Sequence, residues 1–73
     1  MFVLRLVSRG NLIPPVHFAE RSTAALAAEV AARTGEIDRA EVYLVPHKSI
    51  AKAIDAVMRG EGELVEVRHA PKP

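Results

Sequence analysis

The first strand-like segment of the chain, residues 2–8, is apolar on both of its faces, and this property constrains the fold more than any other. In an extended conformation, Phe2, Leu4 and Leu6 lie on one face, and Val3 and Val7 lie on the other. Such a strand is typical of the centre of an α/β sheet, where helices or a partner cover it above and below. The rest of the chain must therefore supply cover for both faces.

Two helical patterns follow this strand. The first covers residues 23–34, with Ser22 as the predicted N-cap and Gly35 as a left-handed stop. Its many alanines favour a helix and let the backbone approach a sheet closely, although each one buries little apolar area. The second pattern, residues 49–59, is the clearest amphipathic helix, because its apolar and charged side chains segregate to opposite sides.

Two further strand-like segments, residues 40–45 and 63–69, complete the order β-α-β-α-β. Because each helix is long enough to return the chain for parallel pairing, we predict the α/β fold class: a small two-layer domain with a mainly parallel three-stranded sheet. Residues 12–18 contain two prolines, which excludes a central position, so they form either a loop or an extra edge strand. We expect residues 1–73 to form a single domain.

Composition excludes several classes of protein. Hydrophobic residues make up 49% of the chain and charged residues 26%, which is too apolar for an intrinsically disordered tail. The formal net charge of +1 does not by itself indicate a nucleic-acid-binding protein. Without cysteine there is no disulfide framework, thiolate nucleophile or cysteine-based zinc site. No apolar run approaches the roughly 20 residues of a membrane span, so we expect a cytoplasmic protein with no membrane partner.

In a parallel sheet the carboxyl ends of the strands share one edge, where ligands of open α/β sheets bind. The polar and cationic residues predicted at that edge are Arg9, His47, Lys48, Ser49, Arg68 and Lys72. They predict an anion-binding site for a nucleic-acid backbone or a phosphorylated metabolite. Residues 47–49 are the strongest part of it, because the N-terminus of a helix attracts anions. The alternative is that Ser49 or His47 only caps the helix while Lys48 is solvated.

Catalytic and metal-binding patterns are weak. The serines and threonines do not occur in a Gly-x-Ser-x-Gly elbow, and we expect no cofactor. His17, His47 and His69 lack the spacing of metal ligands, so no metal site is predicted. An alternative is a small enzyme that uses His17 or His47 as a base, with Glu20 and Arg21 near His17.

The size of the domain indicates self-association. A domain this small hides only about 60% of the surface that its unfolded chain exposes. Three strands and two helices also leave a shortage of cover, so that either one helix lies on each face or a partner covers a bare face. Our leading hypothesis is therefore a small cytoplasmic interaction or regulatory module that forms a homo-oligomer and has no catalytic site. The alternative hypothesis is the anion-binding domain.

Overall fold

The structure is a computed structural model that describes residues 1–9 and 13–71. Its elements, in chain order, are β1 (Phe2–Val7), β2 (Val16–Phe18), α1 (Arg21–Arg33), β3 (Arg39–Leu44), α2 (Ile50–Met58) and β4 (Glu63–His69). The four strands form one sheet in the order β2-β1-β3-β4, and every neighbouring pair is antiparallel. The fold is a small α/β domain with an antiparallel sheet and two helices.

The prediction of a mainly parallel three-stranded sheet is wrong, and the reason is the hairpin between β1 and β2. Phe18 at the end of β2 lies opposite Phe2, so β2 brings the chain back to the start of β1. The following helix, α1, then runs toward the other end of the sheet. There β3 begins with Arg39 opposite Val7, and it must run antiparallel to β1. The extra edge strand lies at Val16–Phe18, within the interval 12–18.

The second helix does not return the chain to the start of β3 either. The first residue of β4, Glu63, lies opposite Leu44 at the end of β3. Both ends of α2 therefore join strands at the same end of the sheet. A β-bulge at Val65 interrupts the ladder, because Val42 pairs with Glu66 and Tyr43 pairs with Leu64.

Alanines attach α1 to the first face of the sheet. Ala24 and Ala28 are fully buried and pack with Leu4 and Val42 in one apolar cluster. Because a methyl group is small, the helix approaches the strands closely and contacts all four of them. Close packing of this kind tolerates little added volume.

The second helix covers part of the opposite face. Its Ala53 and Val57 pack with Val3 and Val45, and α2 contacts β1 and β2. One helix therefore lies on each face, so the prediction of two layers is also wrong. Farther along the second face, Arg5 and His69 are exposed.

The helix ends differ from the predicted ones by one or two residues: α1 spans Arg21–Arg33 rather than 23–34, and α2 spans Ile50–Met58 rather than 49–59. The N-cap of α1 is Glu20 rather than Ser22, and the Thr23 hydroxyl donates a 2.9 Å hydrogen bond to the Glu20 carbonyl oxygen. Gly35 follows α1 with a φ of +76°, a conformation that favours glycine. Within the described ranges, neither helix is long and apolar enough to cross a membrane.

The alanine contact generates a test of the packing. Ala28→Leu forces a larger side chain between α1 and the sheet, and we expect it to lower the free energy of unfolding by about 1–3 kcal/mol. The matched control is Ala51→Leu, at an exposed position of α2, which should change that free energy by less than about 0.5 kcal/mol. Urea denaturation followed by circular dichroism measures both, and equal effects would contradict the packing described here.

Candidate functional site

The six residues predicted to bind an anion do not share one edge of the sheet. Arg9 follows β1 and Arg68 lies near the end of β4, and both are at the end where Val7, Arg39 and His69 align across three strands. The prediction that these residues form one anion-binding site required neighbouring strands to be parallel, and in this sheet every neighbouring pair is antiparallel.

The segment His47–Ser49 lies at the opposite end of the sheet, because it follows β3, whose last residue pairs with Phe2. From Phe2 to Val7 the strand spans five residue steps, or about 17 Å at roughly 3.4 Å per residue. Lys72 lies outside the described residues. Anion binding by the individual residues stays a prediction.

A cavity of about 410 Å³ lies at the His47 end of the sheet. Its polar lining is His17, His47 and Lys48, and its apolar lining is Met1, Phe18, Ala19 and Ile50. The volume lies in the range of small-molecule sites, roughly 300–1,000 Å³. Two imidazoles and one lysine side chain therefore line one open pocket together with apolar side chains.

The hairpin explains why His17 belongs to this cavity. Val3 of β1 lies opposite His17, so β2 places the imidazole beside the segment that follows β3. The sequence pattern did not group His17 with His47 and Lys48. The two prolines before residue 16 were the available signal, because they mark a short edge strand that can close a hairpin.

Ser49 caps α2, as the alternative interpretation proposed. Its backbone is extended, and its hydroxyl oxygen accepts a 3.5 Å hydrogen bond from the Lys52 amide. The Ser49 carbonyl oxygen also accepts a 2.9 Å hydrogen bond from the Ala53 amide. Ser49 is therefore the N-cap of α2, and the polar groups that line the cavity are His17, His47 and Lys48.

At the other end of the sheet, Arg68 already has an anionic partner. Its guanidinium lies 3.2 Å from a Glu66 carboxylate oxygen and donates to the Val67 carbonyl oxygen at 2.9 Å. Arg21 of α1 binds the other Glu66 oxygen at 2.7 Å, and this hydrogen bond is the largest cause that lowers the pKa of Glu66. Two arginines share one carboxylate, which ties α1 to β4.

A second cluster of charges, which the sequence pattern did not indicate, surrounds Glu41 on the second face. Glu41 is only 6% exposed, although carboxylates are rarely buried without partners. Its oxygens lie 3.7 Å from Arg5 Nη1 and 2.9 Å from Arg39 Nε, although the latter contact lacks hydrogen-bond angles. The Tyr43 hydroxyl donates to Glu41 at 3.0 Å.

The register of the sheet produces this cluster. Arg5 lies directly opposite Glu41 in the β1–β3 ladder, and Arg39 and Tyr43 are two residues to either side of Glu41 on the same face. Burial, followed by the hydrogen bond to Glu41, raises the pKa of Tyr43. Because Glu41 interacts with three neighbours, we interpret the cluster as a stabilising element of the sheet.

Within residues 1–9 and 13–71, no group of three or more His, Asp or Glu side chains is placed to hold a metal ion. His17 and His47 line the same cavity, whereas His69 lies at the other end of the sheet. No protein-family model matches the chain, and neither the curated proteins nor the solved structures give a significant match. A functional assignment therefore rests on the geometry of the chain itself.

The Glu41 cluster generates a spectroscopic test, because Tyr43 is the single tyrosine of the chain. We expect ultraviolet titration to place its pKa above the ordinary value of about 10. Since the folded-state pKa is raised, this group's contribution to stability is present below pH about 10 and is lost as the pH rises through the folded pKa. Glu41→Gln removes the neighbouring charge and should lower the pKa of Tyr43. The control Glu61→Gln, at an exposed position, should leave that pKa unchanged.

Proposed function

We propose that this protein is a small cytoplasmic interaction or regulatory module that associates with a second copy of itself. The observation that carries the proposal is the outer edge of β4. This strand has seven residues and lies at the end of the sheet, and in the described part of the chain nothing pairs with its outer side. An edge strand presents unpaired N–H and C=O groups, which are a template for another strand. The cytoplasmic location is supported by the sequence pattern alone.

The two edges of the sheet are not equivalent. At one edge, β2 has three residues and follows Pro14 and Pro15, which cannot donate to a ladder. At the other edge, the whole of β4 is free of proline. Short strands and prolines are devices that protect an edge from pairing. Of the two edges, β4 is therefore the one that can receive a strand.

The face beside β4 also has apolar surface to bury. Because α2 contacts β1 and β2, the second face near β4 has less cover. Leu64, which lies opposite Tyr43 on that face, is 47% exposed. Val67, farther along the same strand, is half-buried. A partner strand at β4 would bring its own side chains next to these two.

Sedimentation velocity over a dilution series tests self-association. We expect a dimer whose fraction falls on dilution, and a clean monomer throughout the micromolar range would contradict the proposal. Leu64→Ser removes apolar surface beside β4 and should weaken the dimer severalfold, because burial of a leucine contributes about 1.5–3 kcal/mol when complete. The matched control is Leu26→Ser on α1, which is 61% exposed and should leave the dimer unchanged.

A second candidate function is favoured by the cavity at His17, His47 and Lys48. Two imidazoles and one lysine side chain line an open pocket of about 410 Å³. Such a space suits a phosphorylated metabolite better than a nucleic-acid backbone, because a backbone is read along an extended surface. The N-terminus of α2 adds a favourable field for an anion at the same place.

Titration with inorganic phosphate, followed by the NMR shifts of the His17 and His47 amides, tests this candidate. We expect Lys48→Ala to weaken binding, because it removes a cation from the cavity lining. The control is Lys52→Ala, which removes an exposed lysine of α2 outside that lining and should have a smaller effect. Equal effects of the two variants would indicate nonspecific attraction, and binding of single-stranded RNA in preference to phosphate would indicate a nucleic-acid ligand.

A further inference from the structure

We infer that two copies of the chain pair β4 with β4, antiparallel, about a twofold axis at Val67. The two four-stranded sheets then form one continuous sheet. This inference rests on the proposed self-association and specifies its geometry. It depends on three properties of β4: which backbone groups point outward, which charges lie opposite each other, and which neighbouring registers are blocked.

The hydrogen bonds of the sheet show which backbone groups of β4 point outward. The Ala70 amide donates to the Asp38 carbonyl oxygen at 3.0 Å, so the Ala70 amide points toward β3, whereas the Asp38 amide donates to Val7 on β1 at 2.8 Å. In an antiparallel ladder bonded and non-bonded pairs alternate, so Arg68 and Glu66 also direct their backbone groups to β3. The backbone groups of Val67 and His69 therefore point to the free edge.

The other ladder of β3 agrees with this alternation. The Val45 amide donates to the Met1 carbonyl oxygen at 2.9 Å, and the Met1 ammonium donates back to Val45 at 3.1 Å. Counting inward from this bonded pair, Tyr43 and Glu41 direct their backbone groups to β1. Val42 and Ala40, which alternate with them, therefore direct their backbone groups to Glu66 and Arg68 of β4.

A twofold axis at Val67 makes Val67 and the partner's Val67 a bonded pair, in which the partner's amide replaces the Arg68 guanidinium as the donor to the Val67 carbonyl oxygen. Glu66 then lies opposite the partner's Arg68, and Arg68 lies opposite the partner's Glu66, in non-bonded pairs whose Cα atoms are about 4.5 Å apart. Opposite charges at directly opposed positions stabilise a sheet. On the second face, the two Val67 side chains meet beside the exposed surface of Leu64.

The neighbouring registers are each unfavourable for a specific reason. An axis at Glu66 or at Arg68 puts two like charges directly opposite each other, which is destabilising. An axis at Val65 puts the β-bulge at its centre and sets Glu66 opposite the partner's Leu64, so both pairs of opposite charges are lost. An axis at His69 places Val67 opposite the partner's Pro71, which has no N–H to donate. Val67 is the remaining centre.

Proline substitution tests the role of the outward N–H. Val67→Pro removes an amide that bonds nothing in β3, so the monomer keeps its ladder while the dimer loses the two bonds at its axis. We expect the dimer dissociation constant to rise about tenfold or more. The matched control is His17→Pro on β2, where the amide points outward because the flanking Val16 and Phe18 face β1, and it should leave dissociation unchanged. Circular dichroism checks that both variants are folded.

Disulfide cross-linking tests the register directly, because the natural chain has no cysteine. Val67→Cys places two thiols at the axis, with Cα atoms about 5.5 Å apart, which a disulfide can bridge. Glu63 lies on the far side of the β-bulge from the axis, so Glu63→Cys places its thiols more than about 20 Å apart, at roughly 3.4 Å per residue. We expect mild oxidation to link the first variant and not the second.

The outcomes separate this inference from the proposed function. If Glu63→Cys forms a disulfide-linked dimer, alone or as readily as Val67→Cys, the register is overturned, but self-association is not. A dimer that Val67→Pro and His17→Pro weaken equally also overturns the pairing through β4. A monomer at every concentration overturns the proposed self-association together with this geometry.

Discussion

The antiparallel pairing of β1 with β3 is the interaction on which the rest of the structure depends. Six residue pairs join these central strands, and their side chains supply the buried surface on both faces of the sheet. One face receives the alanines of α1 and the other receives α2. The same register sets Arg5 opposite Glu41, so it also accounts for the buried carboxylate. By alternation, it determines which backbone groups β4 offers at its outer edge.

The sequence predicts the elements better than their arrangement. Apolar periodicity locates both helices and the three long strands, because periodicity reports which side of an element is buried. It does not report strand direction. Here the direction of β3 depends on β2, whose three residues after Pro14 and Pro15 are too few for a clear strand pattern. The direction of β4 depends on the path of α2. A hairpin strand within residues 12–18 sets β3 antiparallel to β1, but the antiparallel β4 also requires that both ends of α2 lie at one end of the sheet.

In the candidate site, too, the sequence predicts local features but not the contacts that depend on the fold. The pattern at His47–Ser49 is local, so the serine cap was foreseen and is present in the structure. The contribution of His17 to the cavity is not local, because it requires the β1–β2 hairpin. Arg68 was predicted to lie at the anion-binding edge of the sheet. Instead it pairs with Glu66, two residues away on the same face. Glu66 lies next to the β-bulge, which the sequence pattern does not indicate.

The unequal attachment of the two helices has a consequence for how the molecule opens. Opening of α1 would disturb every strand at once, since it touches all four, and its free energy approaches that of global unfolding. By contrast, α2 joins the chain at a single end of the sheet and can detach while the ladder stays intact. Amide hydrogen exchange would then proceed through a sub-global step in α2 that uncovers Val3 and Val45.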